Sequence, residues 1–344
     1  DISACLVGSE MCIRDRHKYD MSNTVLATKW RPKLFSDLIG QDPVVTALVN
    51  SLDNQRLHHT YLFTGTRGVG KTTLARILAK CLNCETNGVS SEPCGKCASC
   101  LAIDAGQFVD LYEVDAASRT KVEDTRELLD NVQYLPTQGR YKIYLIDEVH
   151  MLSKSSFNAL LKTLEEPPAH VMFLMATTEI EKVPKTVLSR CLQLNLKIIP
   201  EHQIGDHIKS LLDLEGIKYD EESLVLIANS AHGSILDGLT LLDQAIAHGN
   251  GMLDSDQVKA LLGTIDQSYI IELINYVASS DGDGAYLALN KITELNVEYE
   301  QVLKIIISVF HKISLHQQLQ NSNEEAIIKL SLIHISEPTR QAEI

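Results

Sequence analysis

The stretch Gly65-Thr66-Arg67-Gly68-Val69-Gly70-Lys71-Thr72 constrains this chain more than any other part of it. It satisfies the pattern G-x-x-x-x-G-K-[ST], in which a glycine-rich loop joins a strand to a helix and wraps a phosphate. The flanks agree. Thr60 to Phe63 leads in as a short apolar strand, and Leu74, Ile77, Leu78, Cys81 and Leu82 follow at helical spacing. Glycines let the backbone turn its N–H groups toward a phosphate, and the helix dipole places partial positive charge at the same point. Residues Gly65 to Thr73 are therefore expected to bind nucleotide, with Lys71 reaching the β- and γ-phosphates and the Thr72 hydroxyl holding Mg²⁺. An accidental glycine turn is the competing reading, and the strand before and helix after argue against it. Cys81 lies on the buried face of that helix and reads as packing.

A second motif completes the chemistry. Lys142 to Ile146 is an apolar strand that ends in Asp147-Glu148. Charge is costly in a core, so the pair belongs at the carboxyl end of a strand, where ligands bind in α/β sheets. Asp147 is expected in the Mg²⁺ shell and Glu148 to orient and activate a water for phosphoryl transfer. Taken alone, the two acids could equally cap the helix that follows over Ser153 to Leu164, with Phe157, Leu160, Leu161 and Leu164 on one face.

From Met21 to about Leu196, short apolar runs alternate with amphipathic segments, the pattern of an α/β fold built on a parallel sheet. Five strands are expected, over Thr60–Phe63, Val109–Val114, Tyr141–Ile146, Val171–Ala176 and Leu192–Leu196, in a sheet covered by helices on both faces. After Pro200 helical periodicity takes over. The reading is a core over 21–197, a small helical domain over 198–262, and a second helical region over 263–330 with Asp281-Gly282-Asp283-Gly284 as an internal turn.

Four of the eight cysteines crowd together as Cys84-x9-Cys94-x2-Cys97-x2-Cys100, with Pro93 and Gly95 forming a knuckle. Four thiolates suit a closed, structural Zn²⁺ site that leaves no position for catalysis. An iron–sulfur cluster is the other group such spacing serves. Free thiols are the plain alternative.

With 344 residues and 44% hydrophobic content the chain can bury a real core, and a net charge of -14 is the reverse of a surface coated in nucleic acid. Any DNA contact must be local. No apolar run reaches the roughly 18 residues needed to cross a bilayer, so a cytoplasmic location is expected and a membrane role is not. The opening DISACLVGSEMCIRDR and closing LSLIHISEPTRQAEI resemble translated sequencing-adapter read-through, so residues 1–20 and 331–344 are expected to be extensions outside the native fold, with Met21 the natural start; a disordered native tail is the alternative.

The loop GTRGVGKTTLARILAKCLNC, the cysteine module, Val114 to Arg119, the segment Asp147 to Pro168, Ser189-Arg190-Cys191 and the opening Lys29-Trp30-Arg31-Pro32 together resemble the gamma/tau subunits of bacterial DNA polymerase III over about residues 21–330. The resemblance implies a P-loop AAA+ core with a five-stranded parallel sheet and zinc module, a helical lid and a partial helical collar. It implies an ATPase that loads a sliding clamp onto primed DNA, working in a five-membered ring with delta, delta-prime and further gamma/tau subunits. Cofactors implied are ATP, Mg²⁺ and Zn²⁺. Arg190 would be an arginine finger supplied to a neighbour, Thr178 a sensor of the γ-phosphate, and Arg119, Lys121 and Arg126 would face DNA. Their other readings are a surface salt bridge for Arg190 and a solvated helix face for the basic trio. His58, His59 and His150 read as packing or capping residues.

One departure stands out. The family's lid motif Gly-Ser-x-Arg-Asp reads Gly233-Ser234-Ile235-Leu236-Asp237 here. Leucine can neither donate a side-chain hydrogen bond nor offset phosphate charge, so ATP is expected to bind with weakened coupling to lid closure unless another group supplies the loss. This leaves open a scaffold that binds ATP and hydrolyses little. A helicase-type translocase on the same core is disfavoured by the cysteine module.

Overall fold

The structure, a computed structural model, describes residues 25–118, 130–249, 251–262, 267–294 and 299–319. Contacts gather the chain into two units, one ending at Leu253 and one beginning at Asp254.

The first unit is built on five parallel strands: β1 (Thr60–Thr64), β2 (Leu111–Asp115), β3 (Lys142–Asp147), β4 (Val171–Thr177) and β5 (Leu192–Asn195). Their order is β2-β3-β4-β1-β5. The three inner strands are buried along almost their whole length, as their apolar runs require, whereas the edge strands β2 and β5 are half open. Side chains alternate between faces. Tyr61, Phe63, Ile143, Leu145, Met172 and Leu174 pack beneath α2 (Asp42–Asp53) and α3 (Lys71–Asn83). On the other face Leu62, Tyr144, Ile146, Phe173 and Met175 meet α5 (Lys154–Glu165) and α6 (Lys185–Leu188). Stacked rings of Tyr112, Tyr144 and Phe173, 5.1 and 5.4 Å between centroids, run across β2, β3 and β4 on that second face. Two short helices complete this part, α1 (Leu26–Lys29) before the sheet and α4 (Ala98–Asp104) after α3.

The expected strand at Val109 begins two residues later. The Asp110 carboxylate is buried and accepts the N–H groups of Thr137, Gln138 and Gly139, each at 2.7 Å, while Leu111 N–H bonds Phe108 O, so the chain turns there before pairing begins.

Helices α7 (Glu201–Glu215), α8 (Glu221–Ser230) and α9 (Ile235–His248) follow. The purely helical expectation after Pro200 needs one correction. Lys218–Tyr219 (β6) and Met252–Leu253 (β7) pair as a two-stranded parallel ribbon, each strand too short to show a period of two in sequence.

The second unit contains α10 (Ser255–Leu262), α11 (Gln267–Ala278), α12 (Gly282–Glu294) and α13 (Tyr299–Leu319) among the described residues. Ile270, Ile274, Ile292, Val302, Val309 and Ile313 form its core. Here too a turn moved. Asp281 accepts the Gly284 N–H at 3.0 Å and starts α12, so the glycines of the Asp-Gly-Asp-Gly run lie in the first helical turn and the chain reverses at Ser279 and Ser280.

Candidate nucleotide site and thiol cluster

The loop from Gly65 to Gly70 joins the carboxyl end of β1 to α3. Its glycines are structural necessities. Gly68 has φ +76°, and a Cβ there would sit 1.9 Å from Ser234 Oγ; at Gly65 it would lie 2.6 Å from Leu196 O. The Lys71 ammonium donates to the carbonyls of Gly65 (2.9 Å) and Thr66 (2.7 Å), so the loop curls around the lysine's tip. Burial pulls the Lys71 pKa below its ordinary value, and Glu148 and Asp147 oppose that fall.

β3 delivers the acidic pair to the same place, because β1 and β3 flank β4 in one parallel register and share a carboxyl edge. Thr72 Oγ1 donates to Asp147 Oδ2 at 2.7 Å, and Glu148 N–H donates to Asp147 Oδ1 at 2.9 Å. The reading of the two acids as helix caps does not hold: Ser153 caps α5, accepting the Ser156 N–H at 3.1 Å. Glu148 adopts a left-handed backbone, φ +46°, and its Oε2 accepts the Thr178 N–H (3.2 Å) and hydroxyl (3.0 Å). Such conformations in non-glycine residues gather at functional sites.

Gly68, Gly70, Lys71, Thr72, Asp147 and Glu148 line a cavity of about 390 Å³ that also takes in Val69, Thr73, Arg31, Leu38 and Leu236. That is the size of a small-molecule site with a few convergent polar groups. Arg31 donates from Nε to Thr73 Oγ1 at 3.2 Å, and its pKa is held down by burial and then by neighbouring Arg76. Trp30 Nε1 donates to Glu215 on α7 at 2.7 Å, and Leu26 N–H to Asp243 on α9 at 2.8 Å. The lid motif touches the loop directly, Leu236 N–H pointing at Gly68 O across 3.4 Å. Arg31 and Trp30 as pocket residues were signalled in the sequence only by the Lys-Trp-Arg-Pro motif, which carries no geometry of its own.

Other expected residues lie apart. Arg190 is ion-paired within the chain, Nη2 to Glu165 Oε1 at 2.6 Å, and Nη1 donates to Thr186 O at 2.6 Å. His58 and His59 face the carbonyls of Thr60 and Val171, as packing residues do. His150 does more than pack: its side chain is only 6% exposed and stands against Glu148, Thr177 and Glu179. Arg119, Lys121 and Arg126 lie outside the described residues.

The thiol cluster forms where α3 ends. Cys84 is its C-cap, Cys97 the N-cap of α4, and Cys100 lies in the first turn of α4. The four sulfurs of Cys84, Cys94, Cys97 and Cys100 lie within 4.8 Å of one another. N–H groups point at them: Cys94 N–H at Cys84 Sγ (3.3 Å), Cys97 N–H at Cys94 Sγ (3.3 Å) and Cys100 N–H at Cys97 Sγ (3.4 Å). The Thr86 hydroxyl, then the N–H groups of Lys96 and Cys97, pull the Cys94 thiol down to about 6. Four converging sulfurs with amide support are a donor set that can hold a metal ion. Burial pushes the Cys81 thiol up instead, and its Sγ faces Ser91 O at 3.6 Å, outside the cluster.

A gamma subunit of DNA polymerase III from Buchnera aphidicola subsp. Acyrthosiphon pisum is 50% identical over 297 residues, which cover 86% of this chain and 82% of that protein. The chain belongs to the DNA polymerase III gamma/tau family. Tau subunits of Salmonella typhimurium and Escherichia coli are 53% and 52% identical over 297 residues, 86% of this chain. The chain spans less than half the length of those tau subunits, 46% of each. The family model described as "DNA polymerase III, delta subunit" matches residues 40–200, and "DNA polymerase III clamp loader subunit, ATPase lid domain" matches 203–251. The likeness to the gamma/tau family therefore extends well beyond the core that the first model covers. Among solved structures, the Thermotoga maritima RuvB Holliday junction branch migration motor superposes with a TM-score of 0.51 at 19% identity, covering 72% of this chain and 79% of that one. That likeness speaks for the fold alone, a helix-covered parallel α/β core. No helix among the described residues is long and apolar enough to cross a membrane.

Proposed function

We propose that the chain is an ATPase subunit of a DNA polymerase III clamp loader, which uses ATP to place a sliding clamp on primed DNA. One observation carries the reading: Lys71, Thr72, Asp147 and Glu148 meet at one end of the sheet, inside one cavity. Gly65 to Thr73 would hold the triphosphate, and Thr72 with Asp147 would hold Mg²⁺, which when bound offsets phosphate charge. Lys71 would exchange the carbonyls of Gly65 and Thr66 for phosphate oxygens. Glu148 would take a proton from the attacking water, and Thr178 would link that carboxylate to the end of β4.

The family supports the remaining parts. Arg190 would leave Glu165 to complete a neighbour's site in a five-membered ring with delta, delta-prime and other gamma/tau copies. The domains would be a core over 21–197, a lid over 198–262 and collar helices from 263. Cys84, Cys94, Cys97 and Cys100 would hold Zn²⁺ as a structural ion. Arg119, Lys121 and Arg126 would face DNA, and the location would be cytoplasmic.

A second reading, an ATP-binding scaffold with little turnover, is favoured by a single residue: Leu236 stands in the cavity where the family's lid motif carries arginine. Titration calorimetry with MgATP, and steady-state hydrolysis with clamp and primed DNA, separate the two, with Lys71→Ala as the control. Binding and stimulated turnover support the ATPase, binding alone supports the scaffold, and no binding by folded wild-type chain defeats both.

A further inference from the structure

Resting on that ATPase reading, we propose that His150 is a positioning residue that fixes which oxygen of Glu148 serves as the base. Three groups converge on Glu148 Oε2: the Thr178 N–H at 3.2 Å, the Thr178 hydroxyl at 3.0 Å, and His150 Nδ1 at 3.3 Å. Among the described residues, no protein group bonds Oε1 within the contacts of this carboxylate. One oxygen is thus held, and the other is left to meet a water. Glu148 holds a left-handed backbone at this point, φ +46°.

The imidazole is itself held in place. Its Nδ1 lies 3.0 Å from Thr177 Oγ1, and its Nε2 lies 3.4 Å from Glu179 Oε1. Thr177 Oγ1 also accepts the Glu179 N–H at 3.1 Å, and Glu179 pairs with Lys182 at 2.8 Å. Thr177 at the end of β4 and Glu179 in the turn after it therefore hold the ring, and Lys182 in turn steadies Glu179. Half-buried His59, by contrast, faces the backbone carbonyl of Val171 at 3.3 Å. His150 instead faces a carboxylate at each nitrogen and is buried while doing so. A ring that merely filled space would not need that arrangement.

The consequence for the reaction is geometric. In hydrolysis the water oxygen bonds the γ-phosphorus, the water's proton passes to Glu148 Oε1, and the bond from that phosphorus to the β–γ bridging oxygen breaks, its electron pair leaving on ADP. General-base transfer works only within hydrogen-bond reach, and functional groups must be held to about 0.5 Å, so a carboxylate free to rotate loses rate without losing affinity for nucleotide.

The test compares wild type, His150→Ala, His150→Gln and Glu148→Gln, with His150→Ala also made in the Glu148→Gln background, all in the full chain. MgATP affinity is read by calorimetry and turnover in single-turnover hydrolysis. We expect His150→Ala to lower turnover about tenfold while MgATP affinity stays within about twofold, the signature of an interaction made in the transition state. His150→Gln, which keeps an amide donor for Glu148, is expected to recover part of the rate. In the Glu148→Gln background His150→Ala should cost nothing further. An equal loss in both backgrounds, or a fall in nucleotide affinity matching the fall in turnover, would overturn the positioning role. Wild-type chain that binds MgATP but turns over no faster than Glu148→Gln would overturn it too, and Lys71→Ala binding as well as wild type would bring down the site itself.

Discussion

Replacing Gly68 with alanine should unfasten the P-loop from the lid, and the cost can be worked from the contacts. At φ +76° a side chain of L configuration is strained by roughly 1–2 kcal/mol. The new Cβ would also lie 1.9 Å from Ser234 Oγ, so that hydroxyl must rotate away. In rotating it abandons the Asp237 N–H, which it accepts at 3.1 Å as the N-cap of α9. Losing such a cap costs about 1 kcal/mol. The sum is about 2–3 kcal/mol, or a fall in melting temperature of roughly 4–12 °C for a unit of this size. A double-mutant cycle with Ser234→Ala isolates the clash, since the cap is already lost there and only the backbone strain remains to be added. We expect a coupling of about 1 kcal/mol between the two substitutions, read from urea unfolding followed by circular dichroism. If Gly68→Ala costs the same in both backgrounds, the lid does not rest on the loop through Ser234.

Three other outcomes can be checked. Leu236→Arg should strengthen binding of ATP by about tenfold, the worth of one charge-assisted hydrogen bond, with a smaller gain for ADP; equal gains would mean that the side chain never reaches the γ-phosphate. Cys97→Ser should reduce bound zinc from about one ion per chain to about none and loosen α4, as elemental analysis and proteolysis would report; an unchanged zinc content would remove the four-thiol site. The carboxyl of Glu215 is held below the usual glutamate range, first by Lys29 and then by Trp30. Its contribution is therefore complete above the unfolded glutamate value and is lost as pH falls through the depressed folded value. Since Trp30 is the sole tryptophan, its emission should hold steady down to about pH 4.5 and shift below that, and Glu215→Gln should give the acid spectrum at neutral pH. A titration in which wild type and Glu215→Gln coincide would break the link.

The parts legible in sequence were those whose geometry is local. The P-loop needs only consecutive residues between a strand and a helix, and the short apolar runs at Thr60, Tyr141 and Val171, bounded by turn residues, read as buried strands. The thiols of Cys94, Cys97 and Cys100 are likewise close in sequence, and Cys84 joins them because α3 ends at the cluster. The parts that escaped depend on distant segments meeting. Asp110 looks like any strand residue until the N–H groups of residues 137–139 arrive to bind it. His150 reads as packing until the end of β4 brings Thr177, Thr178 and Glu179 beside it. Arg31 and Thr73 stand 42 positions apart. In the Asp-Gly-Asp-Gly run of residues 281–284, turn-forming composition pointed to the right neighbourhood, but the capping carboxylate of Asp281 decided which residues became helical.

Helix α3 is a rod of 13 residues, roughly 20 Å long, seated at one end on the phosphate loop and fastened at the other through Cys84 to a knot of sulfur. A beam fixed at both ends cannot slide or tilt when its load changes. Were a nucleotide to act at the loop, its work would appear as travel of the parts hinged around the beam, and the sulfur knot at the far end would set how much of that work is lost as recoil.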